Sequence, residues 1–214
     1  MSDINEMLDG LDYFDEQEKE WGGITPEGQY KAQIVEVDIK HDHESNARKD
    51  KTKKNISNIY EVTYRLHADN AKETFKDAEG SEVQGGALVD RTVKGRRVYK
   101  FKTPTTEQSN RDFIANPGNN GGYFKFCTAV NAQIEEKEIT VPAGQRMVKV
   151  LPDLTKEDLL GKPVLVTVKH RVWKGKDGKE IIIESTGKPG RSAEVYDVAL
   201  WDGGPTDEAA AIPF

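Results

Sequence analysis

The chain has 214 residues, of which 36% are hydrophobic, and its mean hydropathy is −0.72. This composition excludes a protein built from membrane helices, because no stretch approaches the roughly 18 apolar residues that such a helix needs. One cysteine excludes an internal disulfide bond, and the acidic N-terminal stretch lacks the apolar run of a secretion signal. We therefore expect a cytoplasmic protein with no membrane partner.

The net charge of −6 hides an uneven distribution of charge along the chain. Residues 1–21 contain eight acids and one base, and residues 197–214 contain four acids and no base. The two ends thus carry −7 and −4, which leaves +5 on residues 22–196. A basic central region predicts a polyanionic partner. The alternative is that the asymmetry reflects nothing more than solvated acidic termini.

The first predicted segment is an acidic N-terminal arm, residues 1–24. Its apolar residues recur at intervals of three and four, which is typical of one face of a helix, and its polar face is almost entirely acidic. Four roles are open to such an arm: packing on the domain, docking on a partner, covering a basic groove, or remaining a solvated extension. The apolar residues are Ile4, Met7, Leu8, Leu11 and Phe14.

Two predicted strands joined by a basic loop, residues 41–54, open the central region. The apolar alternation of the first strand changes phase between Ile34 and Val35, which predicts a β-bulge or a strong bend. The second strand alternates without interruption. Its expected inward face consists of Tyr60, Val62, Tyr64 and Leu66.

A third strand is predicted within residues 87–103, with a turn or bulge at Lys94 and Gly95. One face of this strand is basic and the other is largely aromatic, and the alternation does not decide which face points to the core. Two helices follow, of which the first begins at Thr103 and Pro104. The second helix is expected to bury Phe124, Cys127, Val130 and Ile134 on one face.

Two further strands complete the pattern. Thr155 and Asp158 fit a helix-capping box, and residues 162–173 then alternate as a strand. A basic turn at residues 174–179 contains Asp-Gly, a hairpin signal, and residues 193–201 form the last strand. Five main strands, with small helices between the third and fourth, predict a mainly β domain over residues 25–201. The matching fold is the OB-fold, a five-stranded Greek-key barrel that binds oligonucleotides on its strand 2–3 face and through its 1–2 and 4–5 loops.

The sequence contains no constellation of residues for catalysis or cofactor binding. Glycine-rich phosphate loops, the serine-hydrolase and zinc-protease motifs and paired cysteines are all missing. His41 and His43 flank an aspartate, but neighbouring loop residues lack the preorganised geometry that a metal site needs. We therefore predict a protein that is not an enzyme and that uses no cofactor or metal.

Nucleic-acid binding is the chemistry that the sequence favours. Proteins that bind single strands combine a positive groove with aromatic side chains on which bases stack. A single aromatic residue on a strand is more often part of the core, so it is the clustering that carries the prediction. The stacking candidates are Tyr99, Phe101 and Trp173. The phosphate-binding candidates are Lys49, Lys51, Lys53 and Lys54 in the first loop, Arg91, Lys94, Arg96, Arg97, Lys100 and Lys102 on the third strand, and Arg171, Lys174, Lys176 and Lys179 around the last turn.

The chain ends in Ile212, Pro213 and Phe214, after an acidic stretch. This ending resembles the tip of bacterial single-stranded DNA-binding proteins, which recruits replication and repair proteins. In that family the Phe fills an apolar pocket and the terminal carboxylate meets a basic residue. Three alanines, residues 209–211, separate the tip from the acids here, whereas the family usually has several Asp at that place. The resemblance implies a partner-binding tail over residues 202–214.

The central region resembles phage-encoded single-stranded DNA-binding proteins of the OB type. The resemblance lies in residues 26–30 (PEGQY), 126–130 (FCTAV) and 159–162 (LLGK). It implies a protein of phage DNA replication, recombination or repair that coats and protects single-stranded DNA in the cytoplasm of an infected bacterium. Its tail would contact a polymerase, helicase or recombinase. The alternatives are a phage structural or assembly protein and, less favoured, a recombination-associated nuclease, and a homo-oligomer is compatible with the sequence.

Overall fold

The structure is a computed structural model that describes residues 23–46, 54–102, 120–141 and 144–202. Residues 1–22 of the predicted arm, the first predicted helix and residues 203–214 of the predicted tail lie outside these ranges. Lys49, Lys51 and Lys53 of the basic loop also lie outside them, and only the backbone of Lys54 is described.

Strands dominate the described residues, and two short α-helices accompany them. Most strands are short, and β1, β2, β9 and β12 are the long ones. In chain order the elements are β1 (Gly28–Asn46), β2 (Lys54–Leu66), β3 (Thr74–Lys76), β4 (Glu82–Gln84), β5 (Thr92–Lys94), β6 (Val98–Phe101), α1 (Gly121–Ala129), β7 (Glu135–Val141), β8 (Gly144–Val150), α2 (Lys156–Leu159), β9 (Pro163–Val172), β10 (Ile182–Ile183), β11 (Lys188–Pro189) and β12 (Arg191–Leu200).

One six-stranded antiparallel sheet forms the body of the protein. Its strand order is β12, β9, β1, β2 and β5, and β6 pairs with a different part of β2. The two edges of the sheet approach each other at an isolated parallel bridge between Gly95 and Val195. The backbone N–H of Arg96 donates there to the Val195 carbonyl at 3.1 Å. The prediction of a mainly β domain is confirmed. Among the described residues, no ladder closes the sheet into a barrel.

The core lies against one face of this sheet and is covered by α1. The predicted inward face of β2 is confirmed, since Tyr60, Val62, Tyr64 and Leu66 are each at most 2% exposed. Each such side chain stabilises the fold by about 1.5–3 kcal/mol through its removal from water. Cys127 on α1 is fully buried, and this burial raises the pKa of its thiol to about 11. The cysteine is therefore a packing residue rather than a reactive thiol.

The first strand bends where the sequence predicts it but runs further than expected. Its pairing with β2 shifts between Ile34 and Glu36, which confirms the bulge, and shifts again between Lys40 and His43. The prediction of a loop from residue 41 was wrong, because β1 continues to Asn46. Residues 41–46 have no apolar alternation, but ladder hydrogen bonds join backbone atoms and do not require it.

The predicted third strand is split into β5 and β6, with Gly95 in the gap between them. A Cβ atom on Gly95 would lie 2.7 Å from the Tyr64 ring, so the chain needs glycine where it passes this buried side chain. The turn or bulge predicted at Lys94 and Gly95 is therefore confirmed, and a continuous strand is not.

The buried face predicted for α1 is confirmed in part. Cys127 and Val130 are at most 2% exposed, whereas Phe124 is only half-buried and Ile134 lies beyond the helix. Tyr123 and Phe126 are buried as well, because apolar residues surround this short helix and their spacing did not single out one face. The capping box at α2 is confirmed, because Thr155 accepts from the Asp158 N–H and Asp158 accepts from the Thr155 N–H.

Replacing Tyr123 with Phe should lower the free energy of unfolding by about 1–3 kcal/mol. The Tyr123 hydroxyl lies 2.9 Å from the Pro152 carbonyl and 3.1 Å from the Tyr60 hydroxyl, and it accepts the Leu154 N–H at 3.3 Å. The variant leaves these polar groups without that partner in a dry environment. Urea unfolding measures the loss. Tyr196→Phe is the control, because the Tyr196 side chain is 47% exposed; equal stability of the two variants would contradict the expectation.

Candidate nucleic-acid interface

A groove crosses the outer side of β9, β12 and the β5–β6 segment. It consists of three adjoining depressions with volumes of about 640, 900 and 330 Å³. We call them the β9, β2 and α1 depressions, each after one element that lines it. Arg96 lines all three, and Tyr196 and Tyr99 each line two, so the depressions form one surface.

The β9 depression is the basic part of the groove. Four cationic side chains and one carboxylate, Glu194, line it. Two aromatic side chains, Trp173 and Tyr196, lie among these charges. Phosphate and base faces would thus both find partners here. The cations are Arg96, Lys169, Arg171 and Lys174.

Strand alternation explains why the charges of β9 point outward. Val164, Val166 and Val168 are at most 1% exposed and define the inward face. Lys169 and Arg171 lie at the alternate positions and face outward. The pairing of β9 with β12 then sets Glu194 opposite Lys169 and Ser192 opposite Arg171, which places these outward residues side by side.

Trp173 is held as an open platform at one end of the groove. Its indole ring lies against the backbone of Gly190, where a Cβ atom would be 2.4 Å from the ring. The backbone N–H of Trp173 donates to the Gly190 carbonyl at 2.8 Å, yet the residue remains 45% exposed. A ring that is already fixed loses little conformational entropy when a base stacks on it.

Tyr196 is the platform that sequence reasoning missed. The pairing of β12 with β9 shifts between Val195 and Asp197, so Tyr196 is the extra residue of a β-bulge. The Arg96 guanidinium lies 4.1 Å and the Lys169 ammonium 4.4 Å from its ring centroid. The signal was present in the sequence: inward residues Val195 and Val198 are three apart, which breaks the alternation and indicates a bulge.

Glu194 holds two arginines of the groove in place. It accepts from Arg96 Nε at 3.1 Å and lies 3.7 Å from Arg171 Nη1. Both arginine side chains are more than half exposed, and ion pairs of that kind contribute about 0–1 kcal/mol. Two arginines thus share one carboxylate, which leaves a net positive charge in this part of the groove.

The β2 depression is the part of the groove least suited to a polyanion. Four carboxylates line it, and one of them, Glu61, accepts from Lys40 at 3.0 Å and from Arg97 at 2.5 Å. These hydrogen bonds hold the pKa of Glu61 below its ordinary value, and the bond from Lys40 contributes most. The carboxylate therefore stays charged. Negative charge here would repel a phosphate chain from β2. The carboxylates are Glu36, Asp38, Glu61 and Glu194.

Tyr99 and Phe101 lie on the outer face of β6, which settles the orientation that the alternation left open. Their rings are nearly parallel, at 13°, with centroids 6.1 Å apart. Tyr99 is 36% exposed, and Phe101 is half-buried. Both line the α1 depression together with Tyr196, so the aromatic side chains continue along the groove from β12 to β6.

Lys100 has an internal role in the structure and is left out of the candidate site. Its side chain is 14% exposed, and its ammonium donates to the carbonyls of Leu151 and Pro152 at 3.1 and 3.0 Å and to Asp153 at 2.7 Å. The residue lies on the inward face of β6, opposite to Tyr99 and Phe101. Lys100 was predicted to contact phosphate, and in the structure its ammonium instead binds the segment before α2.

The other predicted cations divide into those in the groove and those apart from it. Lys94 and Arg97 line the β2 depression. Arg91 donates to the Gly23 carbonyl at 2.8 Å, and Lys102 forms an ion pair with Asp42. Lys176 and Lys179 are exposed on the turn after Trp173, next to the groove but not in its lining.

Comparison of the chain with protein-family models, with curated proteins and with solved structures found no match. Within the described ranges, no group of three or more His, Cys, Asp or Glu side chains is arranged to hold a metal ion. Nor does any helix described there have the length and apolar character needed to cross a membrane.

Proposed function

We propose that the protein binds single-stranded DNA along the groove and has no enzymatic activity. The observation that carries this proposal is the combination of Trp173, Tyr196 and Tyr99, each at least 36% exposed, with the four cations of the β9 depression in one connected groove. A nucleobase can stack on such an aromatic side chain only when its own face is not covered by a neighbouring base. Duplex DNA stacks its bases on one another, so the same groove favours a single strand.

We propose an OB-type arrangement for the domain. In this assignment β1, β2, the β5–β6 segment, β9 and β12 are the five strands, and α1 lies between the third and the fourth. The ladder order and the parallel bridge between Gly95 and Val195 support it. In such a barrel the strand 2–3 face and the 1–2 and 4–5 loops bind oligonucleotides. Here the proposed path is displaced from β2 toward β12, because carboxylates line the β2 depression.

The biological setting that we propose rests on the resemblance of the sequence to phage single-stranded DNA-binding proteins. The protein would coat strands exposed in phage replication, recombination or repair and protect them from nucleases in the host cytoplasm. Residues 212–214 would recruit a polymerase, helicase or recombinase. A coat protein of this kind needs affinity for any sequence, which stacking and phosphate contacts provide without base-specific hydrogen bonds.

Titration of fluorescently labelled oligo(dT) at about 50 and 200 mM salt tests the proposed function. Four phosphate contacts on a single strand give a slope of about −2.8 for log K against log salt, so this increase should weaken binding about 50-fold. A duplex of the same length should bind more weakly at both salt concentrations. Absence of oligo(dT) binding at low salt, or equal affinity for duplex, would favour the structural-protein alternative and contradict the proposal.

Removing residues 212–214 should leave the affinity for oligo(dT) unchanged and abolish binding to the replication partner. Residues 201–211 separate the tip from β12 in sequence, and we expect the two binding activities to be independent. Anisotropy titration measures the first effect, and pull-down of purified host polymerase, helicase and recombinase measures the second. A loss of DNA affinity in the shortened chain would refute the assignment of the tail.

A further inference from the structure

We propose that the acidic N-terminal arm docks on the β9 depression and its neighbouring apolar patch when no nucleic acid is bound. Residues 1–22 of the arm lie outside the described residues, so the proposal depends on three described features: where the chain leaves toward the arm, the charge of the depression, and an exposed apolar cluster beside it. Docking itself is independent of DNA, whereas its competition with DNA rests on the proposed function.

The residues that connect the arm to the domain lie next to the β9 depression. Nε2 of His170 donates to the Thr25 carbonyl at 2.9 Å, and the His170 N–H donates to the Glu27 carboxylate at 2.7 Å. His170 lines the depression and directly precedes Arg171. Arg91 holds the Gly23 carbonyl at 2.8 Å, so the start of the described chain is fixed at several points. The arm therefore begins within a few residues of the basic surface.

The charges of the arm and the depression are opposite. The arm has eight acids and one base, and the depression has four cations and one carboxylate. The adjacent turn adds the exposed Lys176 and Lys179. Complementary charge of this size raises the local concentration of the arm at the groove and weakens with salt.

An apolar patch beside the groove matches the other face of the arm. Ile181, Ile182 and Ile183 are 36–50% exposed and follow the basic turn directly. The Ile181 N–H donates to the Trp173 carbonyl at 2.9 Å, which joins the patch to the platform of the groove. Exposed apolar residues that occur singly are common, and three in succession expose more apolar surface than is usual. DNA has no aliphatic face for this patch, whereas the arm offers Ile4, Met7, Leu8, Leu11 and Phe14 at helical spacing.

The arm is long enough to reach the whole surface. As a helix, 20 residues span about 30 Å, which is the diameter of a small domain. A segment attached so close to its site has an effective concentration on the order of 1 mM. For a docking constant of about 0.1 mM, the arm would weaken DNA binding about tenfold by occupying the same cations.

Carbodiimide cross-linking of the full chain, which joins carboxylates to lysines, tests docking without DNA. We expect links from carboxylates of the arm to Lys169, Lys174, Lys176 or Lys179, and none to the exposed Lys156 on α2. A mixture of unlabelled and ¹⁵N-labelled chains shows whether the links form within one chain. Links spread evenly over lysines including Lys156, an absence of links, or links only between chains would each overturn the proposal.

A matched pair of full-length variants separates docking from the proposed function. Asp9→Asn, Asp12→Asn and Asp15→Asn together should tighten oligo(dT) binding about tenfold through loss of the arm's competition. The control removes three acids from β7, Glu135, Glu136 and Glu138, each replaced with Gln, and changes the net charge equally. An equal gain in both variants would overturn arm docking as the cause. Specific cross-links in a chain that binds no oligo(dT) would instead uphold docking and reject the proposed function.

Discussion

Replacing Trp173 with Ala should weaken binding of oligo(dT) roughly 5- to 150-fold. Stacking of a base on an aromatic side chain contributes about 1–3 kcal/mol, and each 1.4 kcal/mol is about tenfold in affinity. Because Trp173 is 45% exposed and packs on the Gly190 backbone, its loss should remove the platform without unfolding the domain. Anisotropy titration measures the affinity, and the unfolding midpoint in urea confirms that the fold is intact.

Two further variants show whether stacking is the cause of this loss. Trp173→Phe keeps an aromatic face and should recover most of the affinity. Met147→Ala removes a side chain of β8 that is 57% exposed and belongs to a separate two-stranded sheet, so it should have no effect. Equal affinities for Trp173→Ala and Met147→Ala would contradict a stacking role. Tyr196→Ala should weaken binding by a similar factor, because its ring is equally exposed within the same groove.

Replacing Arg96 with Gln should weaken binding about tenfold or more at low salt and reduce the steepness of the salt dependence. Arg96 lines all three depressions, so it is the cation that a strand following the groove meets wherever it enters. Loss of one phosphate contact should reduce the magnitude of the negative slope of log K against log salt by about 0.7. The variant also leaves Glu194 with the longer Arg171 pair alone, at 3.7 Å, which adds repulsion toward phosphate.

The salt series distinguishes a phosphate contact from a structural role for Arg96. Arg96→Lys should keep the slope, because the charge remains, but lose part of the affinity through a poorer contact with the Tyr196 ring. Lys156→Gln, on α2 and away from the groove, is the control for net charge. An unchanged slope in Arg96→Gln, with affinity equal to that of the Lys156 variant, would show that Arg96 does not contact the DNA.

The elements that the sequence predicted well are those in which burial alone sets the pattern. Alternation identified the inward face of β2 and located the strand β9, since one face of each strand is almost fully buried. The phase change at Ile34 gave the bulge of β1 for the same reason. Local hydrogen bonding gave the capping box at Thr155 and Asp158. These features depend on residues that are close in sequence or repeat with a fixed period.

The features that sequence reasoning did not predict depend on partners distant in the chain. The polar end of β1 pairs with β2 through backbone atoms, which leave no apolar signal. Lys100 is drawn inward by carbonyls of Leu151 and Pro152, more than fifty residues later. Tyr196 faces the groove because of a bulge in β12, and its cations come from β9 and the segment after β5. The clustering of basic residues predicted a polyanionic ligand but did not predict which of these residues line the groove.

Photocross-linking with an oligo(dT) that carries halogenated deoxyuridines, mapped to single residues by mass spectrometry, tests the central claim most directly. The aromatic side chains of the groove are the expected sites of attachment, in the order in which they follow it from β9 to β6. We predict adducts on Trp173, Tyr196 and Tyr99, with none on the β7–β8 hairpin. Adducts confined to that hairpin or to other surfaces outside the groove, or efficient DNA binding with no adduct on these three residues, would contradict the account.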